Sequence, residues 1–310
     1  MCLDNFVKSP LNYTGNKSRL LKQILPLFPK NINRFVDLCC GGASVGLNVK
    51  ADEIICIDTN TSVIKLLRTL KFFSEDKIIN KIESIINEYH LSDTFNKGYD
   101  KYRRFIDGNN GLKKYNSKGY LKLRDFFNKK QQNMYDSSIY LFALLSYGFN
   151  NDIRFNSSGN FNMPIGKTDF NASIRNKLSS FKQGTKNKNI DFYDADFRIV
   201  KELGLKSDDF VYIDPPYLIT NAVYNENGAW DETQEKELLN TLDYLNSINV
   251  KFALSNILSK YGEKNLILHK WIKKNKFKIV YIDYHYRSAS YNKKNRLAEE
   301  KEVVVLNYGI

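Results

Sequence analysis

Residues 211–220 read VYIDPPYLIT, an apolar run that ends in an acid, two adjacent prolines and a tyrosine. The chain holds six prolines in all, so two side by side mark a local demand on the backbone. Proline fixes φ and removes an amide donor, and it pushes the residue before it out of the helical region. Asp214 and Pro215 are therefore read as extended, and the turn as stiff. Stiff turns at strand ends are where α/β proteins hold ligands. A plain strand stop would use the same residues. A proline-rich docking peptide would sit in a polar tract rather than after DFVYI.

Two upstream segments carry complementary chemistry. VDLCCGGASVGLNV (36–49) reads as a strand, a glycine turn and an apolar helix. Gly41 and Gly42 let the backbone approach a bound molecule, and the helix N-terminus offers free amides. The next strand ends in ICIDTN, which puts Asp58 where a carboxylate meets ribose hydroxyls. Together these describe a site for an adenosine-containing cofactor. The spacing is not GxGxxG, so S-adenosylmethionine suits it better than a dinucleotide. Ahead of the first strand, SPLNYTGNKSRLL (9–21) offers the ring of Tyr13, a turn at Gly15 and the ammonium of Lys17, which can reach a carboxylate. A helix-capping loop would read the same way.

The elements that must position these residues follow an α/β alternation at both ends of the chain. A helix over 17–28 precedes strands at RFVDLCC and EIICIDTN, and a helix over 61–73 follows. After residue 189 come IDFYDADF, DFVYI, a helix over 231–248, KFALSN, a helix over 262–274, KIVYIDYHY and EEKEVVVLNYG. That makes seven strands. The middle, 75–188, changes to polar helices rich in lysine, asparagine and aromatics, with SSIYLFALLSYGF as a buried helix. Turn residues around Gly159, flanked by IRF and FNM, predict a β-hairpin within 148–167. The chain is accordingly read as residues 1–74 and 189–310 forming one α/β domain, interrupted by a helical insertion over 75–188.

Composition bounds the partners. Forty-seven basic residues against 34 acidic ones give +13, with basic stretches interleaved with aromatics, as in KKYNSKGYLKLRDFFNKK (113–130). A surplus of this size attracts a polyanion and releases its counterions, which favours nucleic acid. No apolar run approaches the roughly 20 residues of a membrane helix, and no secretory signal is visible, so a cytoplasmic location without membrane association is expected. Cys2, Cys39, Cys40 and Cys56 match no zinc spacing, and no metal is expected.

In their order along the chain, these motifs resemble the Dam-type, alpha-group DNA adenine-N6 methyltransferases, from Pro10 to Tyr308. NYTGNKSRLL is similar to that family's N-terminal cofactor motif, and VDLCCGGASVGLN, with Asp37, to its methionine-binding loop. IDTN supplies the ribose acid, and DFYDADF, with Asp196, the segment beside the cofactor adenine. DPPY is the catalytic tetrapeptide, RFNSSGNFNMPIGK resembles the DNA-contacting hairpin, and RSASYNKKNRLAEEKEVVVLNY the C-terminal motif. The resemblance implies a Rossmann-like class-I S-adenosylmethionine-dependent methyltransferase fold. Its seven-stranded sheet would be interrupted by a helical target-recognition domain carrying the β-hairpin. Cys39 and Ala43 depart from the family's usual aromatic and glycine. Asp152 stands where readers of GATC carry an apolar residue, so the recognition sequence is left open.

The resemblance implies that Asp214, Pro215, Pro216 and Tyr217 are catalytic. Tyr13, Gly15, Lys17, Asp37, Gly41, Gly42, Asp58, Asp196 and Asp214 are expected to hold S-adenosylmethionine, released as S-adenosylhomocysteine. The partner is double-stranded DNA, the chain serving either beside a restriction endonuclease of the same site or as a phage or solitary modification enzyme. Arg154 is expected to reach guanine, and Phe149 or Asn150 to fill the space left by a flipped base. Asn156, Asn162 and Pro164 shape the ribbon, by turn chemistry or by base contact. Arg287, Lys293, Lys294 and Arg296 are suited to phosphates or to a solvated surface. The alternatives are an amino-group methyltransferase acting on RNA or another base, and a catalytically silent DNA-binding relative.

Overall fold

The structure, a computed structural model, describes residues 6–106, 108–219, 230–260, 262–283 and 301–309. Its strands are β1 (Arg34–Leu38), β2 (Glu53–Asp58), β3 (Ile190–Asp194), β4 (Phe210–Ile213), β5 (Lys251–Lys260), β6 (Glu263–Lys264), β7 (Lys278–Tyr281) and β8 (Lys301–Leu306). The α-helices are α1 (Leu21–Ile24), α2 (Thr61–Phe72), α3 (Glu75–Glu88), α4 (Thr94–Lys97), α5 (Lys113–Asn128), α6 (Met134–Tyr147), α7 (Ala172–Thr185), α8 (Glu232–Ser247) and α9 (Leu266–Asn275). The chain divides into two compact units. One comprises Met1–Asn16, Gly41–Leu47 and Asn60–Lys188; the other comprises Lys17–Cys40, Asn48–Thr59 and Asn189–Ile310.

The second unit is built on a mixed, mostly parallel sheet in the order β3-β2-β1-β4-β5-β8-β7, with the two-residue β6 added to β5. Strands β1 to β5 pair in parallel, and β8 runs antiparallel between β5 and β7. The central strands are apolar on both faces, as a covered parallel sheet requires. β4 is buried at every residue, whereas the edge strand β3 alternates. On one face Val36, Leu38, Val211, Ile213, Phe252 and Leu254 pack with Leu238 and Leu242 of α8 and Trp271 of α9. The side chain of Asp231 caps α8 by accepting from the Thr233 and Gln234 amides, and Asn265 caps α9 in the same way through the Leu268 amide.

The first unit is helical. In α6 all residues from Ser138 to Tyr147 are buried, so the helix is enclosed on every side. Helices α2, α3 and α5 pack against it, and α7 lies on α2 and α3. Among the described residues no helix is long and apolar enough to cross a membrane.

Local details differ from the sequence reading. The helix expected over 17–28 is the short α1 followed by a 3-10 turn over Leu25–Leu27, because Pro26 lacks the amide donor that continuing α-helix needs. The apolar helix expected after the glycine turn does not form. Residues 41–48 are successive hydrogen-bonded turns, since Gly41 (φ 50) and Ala43 (φ 58) are both left-handed. The helix expected from 262 begins at Leu266, because Glu263 and Lys264 pair with β5 instead. The hairpin is a ribbon with isolated antiparallel bridges, Gly148 to Ile165 and Phe155 to Phe161, rather than a continuous ladder.

Candidate active site

Four parallel neighbours, β3, β2, β1 and β4, bring their carboxyl ends to one edge of the sheet. That edge carries the expected acids: Asp37 within β1, Asp58 ending β2, Asp196 just beyond β3 and Asp214 just beyond β4. Their joint field is felt at Cys39, whose thiol is pushed well above its ordinary value by burial and then by Asp58, Asp214, Asp196 and Asp37. Cys39 itself sits at φ 61, a left-handed position that ends β1. The neighbouring Cys40 amide donates to the Ile57 carbonyl at 2.9 Å, and the Ala195 amide to the Asp58 carbonyl at 3.2 Å. Asp196 also has a local duty, accepting from the Arg198 amide at 2.9 Å and from its guanidinium at 2.7 Å.

Asp214 is the most constrained of these acids. Its amide donates to the Leu38 carbonyl at 3.2 Å, which continues the β1–β4 pairing into the DPPY turn. Pro215 beside it is buried, and Pro216 is half-buried. Lys17 Nζ lies 2.8 Å from Asp214 Oδ2, with the two side chains only 6% and 17% exposed. The Tyr217 hydroxyl donates to Asp214 Oδ1 at 3.0 Å. Burial raises the Asp214 carboxyl above its ordinary value, and Lys17 and then Tyr217 oppose that shift. Burial likewise pushes the Tyr217 hydroxyl well up, so it is a neutral donor. Lys17, read from the sequence as reaching a carboxylate, is thus engaged with carboxylates of the protein.

The sequence reading missed one member of this cluster. Glu302, the second residue of β8, is 9% exposed. Its Oε1 lies 3.5 Å from Lys17 Nζ and 3.3 Å from the Tyr217 hydroxyl oxygen, a second acceptor within reach of that hydroxyl's single hydrogen. Burial raises its carboxyl too, Lys17 opposes this, and Asp214 adds to it. The signal available was an acid set at the head of an apolar strand, KEVVVL, where a buried charge must have partners.

In the helical unit, Tyr13 packs on the glycine turn. A Cβ added at Gly41 would stand 2.6 Å from Tyr13 Cδ1, and one at Gly42 would stand 2.9 Å from Ser9 Oγ. Glycine is therefore required at 41 by the tyrosine ring as well as by its positive φ. Gly15 also has a positive φ, of 80°, but open space around it.

The ribbon of residues 148–166 belongs to the same unit. Phe149 is 46% exposed, while its amide donates to the Pro164 carbonyl at 2.8 Å. Asn150 and Asn151 are both left-handed, at φ 55 and 54. Arg154 is held rather than loose: its Nε donates to Asn162 Oδ1 at 2.9 Å, and its other arm to the Asn162 carbonyl at 3.0 Å. Asn156 closes the turn by accepting from the Ser158 and Asn160 amides. Two anchors were not read from the sequence. Asn128 of α5 brackets Phe161, accepting from its amide at 2.9 Å and donating to its carbonyl at 3.0 Å. Thr14 donates to Asp152 at 3.2 Å, which gives that acid a structural partner. Arg287, Lys293, Lys294 and Arg296 lie outside the described residues.

Comparison with known proteins assigns the chain to a family. The family model for D12 class N6 adenine-specific DNA methyltransferases matches residues 13–288. The type II methyltransferase M.FokI of Planomicrobium okeanokoites is 38% identical over 98% of this chain and 43% of its own length. Modification methylase StsI of Streptococcus sanguinis is 37% identical, again over 98% of this chain and 43% of its own. The chain thus spans less than half the length of these two relatives. A DNA adenine methylase of Haemophilus influenzae is 27% identical over 96% of this chain and 92% of its own. With the family model covering most of its length, the chain belongs to the D12 class N6 adenine-specific DNA methyltransferase family.

Proposed function

We propose that this chain is a site-specific DNA methyltransferase, moving a methyl group from S-adenosylmethionine to N6 of an adenine flipped out of duplex DNA. The observation that carries the reading is the Asp214 carboxylate, fixed in the DPPY turn by Lys17 at 2.8 Å and Tyr217 at 3.0 Å. Adenine's amine is a weak nucleophile because its lone pair is delocalised into the ring. Asp214 accepts one N6 hydrogen and the Pro215 carbonyl the other, so the nitrogen pyramidalises and its lone pair points away from both acceptors. Acceptors fixed in advance also stabilise the positive charge that grows on nitrogen, without reorganising at the moment of reaction. The prolines supply that rigidity, and the Tyr217 ring is a stacking surface for the extruded base.

The chemistry of the strand-end acids fits the cofactor. Asp37, Asp58, Asp196 and Asp214 gather negative charge at one edge of the sheet, and S-adenosylmethionine carries a cationic sulfonium. When bound, it supplies the methyl group on that sulfur and leaves as S-adenosylhomocysteine. Asp58 is the residue proposed to meet its ribose. A β8 strand antiparallel between β5 and β7 supports a class-I methyltransferase sheet, and a helical segment bearing a ribbon supports a target-recognition role for 75–188. The +13 charge suits a DNA partner. The relatives' names, a type II methyltransferase and a modification methylase, support a modification role.

The test is incubation with unmethylated duplex DNA and methyl-labelled S-adenosylmethionine, followed by digestion to nucleosides. Label in N6-methyldeoxyadenosine supports the reading. Label in another base, in RNA or in protein contradicts it.

A further inference from the structure

Asp214 is the proposed acceptor for the substrate amine, yet both of its oxygens are already engaged. Oδ2 holds the Lys17 ammonium at 2.8 Å, and Oδ1 accepts from the Tyr217 hydroxyl at 3.0 Å. Left unchanged, these contacts oppose the chemistry in two ways. The arriving N6–H must compete for a lone pair, and the ammonium cancels the charge that should favour a nitrogen becoming positive. A carboxylate and an ammonium in contact sum to zero.

The same two groups share a second acceptor. Glu302 Oε1 is 3.5 Å from Lys17 Nζ and 3.3 Å from the Tyr217 hydroxyl, so one oxygen stands within reach of both groups that hold Asp214. Its position is fixed by the sheet. Glu302 pairs with Ile257 of β5, and its carbonyl accepts from the Ile282 amide at 3.0 Å. A carboxylate buried at a strand head is costly unless it is compensated, and Lys17 and Tyr217 are compensating groups. With both carboxyls ionised, the trio of Asp214, Lys17 and Glu302 carries one net negative charge; without Glu302 it is neutral.

Building on the adenine reading above, we propose that Glu302 is a positioning residue, the second carboxylate of the site, which takes the Lys17 ammonium and the Tyr217 hydroxyl from Asp214 as the substrate amine arrives. No covalent bond changes in this exchange. The ammonium keeps its three hydrogens and slides from one carboxylate towards the other, and the hydroxyl turns its single hydrogen. Asp214 then faces the amine with its charge uncompensated, while Lys17 stays paired and is never left as a lone buried cation. Glu302 touches neither substrate nor methyl group; it acts through Lys17 and Tyr217.

The test compares wild type with Glu302→Gln, Glu302→Asp, Lys17→Met and the Lys17→Met/Glu302→Gln double variant. Single-turnover methyl transfer is measured beside separate affinities for S-adenosylmethionine and DNA. Glu302→Gln keeps an acceptor but loses the charge, and a fall in rate of about 10- to 100-fold is expected, smaller than loss of a direct transition-state contact. Both affinities should stay within about threefold, and Glu302→Asp should recover part of the rate. The double variant should be no slower than Lys17→Met, because the effect of Glu302 runs through Lys17.

The acid limb of the rate profile adds a readout that a merely structural role would not move. Asp214 is faced by Lys17 from the segment before α1, by Tyr217 of its own turn and by Glu302 of β8, with Cys39, just beyond β1, and Tyr212 of β4 near it. Removing the charge of Glu302 should shift that limb to lower pH. A Glu302→Gln enzyme that keeps the wild-type rate overturns the proposal, as does one that slows equally with and without Lys17. A wild type that methylates no adenine overturns the reading on which the proposal rests, and the proposal with it; the wild-type lane therefore separates the two failures.

Discussion

Two regions of the molecule hold their working groups in opposite ways. At the strand ends of the sheet unit, charged side chains are buried and pinned to one another, as with Lys17 at 6% exposure against Asp214 and Glu302. On the ribbon of the helical unit, Phe149 is 46% exposed and Arg154 is held by neutral asparagine groups at the surface. A buried charge cluster is stiff and unforgiving, because each member left alone is costly to bury. A surface ribbon tied by side-chain amides tolerates change and can be retuned without loss of the fold. The contrast suits the proposed division between a chemical step in the buried cluster and DNA recognition on the ribbon, and it can be tested by substitution on each side.

The largest effect is expected at Asp214. Asp214→Asn keeps the shape and loses the charge, and the proposed methyl transfer should fall by about 10³-fold or more, read in a single-turnover assay. Lys17→Met should act on stability as well as rate. It leaves Asp214 and Glu302 as buried carboxylates without their shared cation, at a cost of about 3–5 kcal/mol at neutral pH. Burial already raises both carboxyls in the folded protein, so this deficit has a definite sign. Stability is retained below the unfolded carboxyl values and lost as pH rises through the folded ones, and the thermal midpoint of the variant should recover on acidification. The proposed acceptor role needs Asp214 ionised, so the acid limb of the wild-type rate should lie above the ordinary carboxyl value of 3.8.

Smaller effects are expected on the ribbon. Arg154→Ala should reduce discrimination between DNA sequences by about 1–3 kcal/mol, read in competitive binding, and leave S-adenosylmethionine affinity unchanged. Asn128→Ala removes both bonds to the Phe161 backbone and should cost about 1–3 kcal/mol in thermal unfolding. If Arg154→Ala instead destabilises the fold as much as Lys17→Met, the contrast between the regions fails.

Legibility in the sequence followed the same division. The parallel strands could be read because β1, β2 and β4 are apolar on both faces, and a covered sheet leaves that signature. Asp58 and Asp214 could be placed at strand ends because each closes such a run, whereas Asp37 and Asp196 came only with the family resemblance. Glu302 was not, since it lies 88 residues beyond Asp214 and nothing local to KEVVVL says what a strand will pair with. The turns at 41–48 were misread as helix because apolar content and a glycine start look the same in both, and the left-handed Ala43 is invisible in composition. The ribbon showed in its turn residues, but its anchors Asn128 and Thr14 come from distant segments.

The most direct measurement is single-turnover methyl transfer to adenine in duplex DNA by wild type and Asp214→Asn, each saturated with S-adenosylmethionine and DNA. The expected result is N6-methyldeoxyadenosine from the wild type and a rate lower by about 10³-fold in the variant, read with both ligands saturating so that any change in affinity is excluded. A variant rate within about tenfold of wild type would contradict the claim that the Asp214 carboxylate activates the amine.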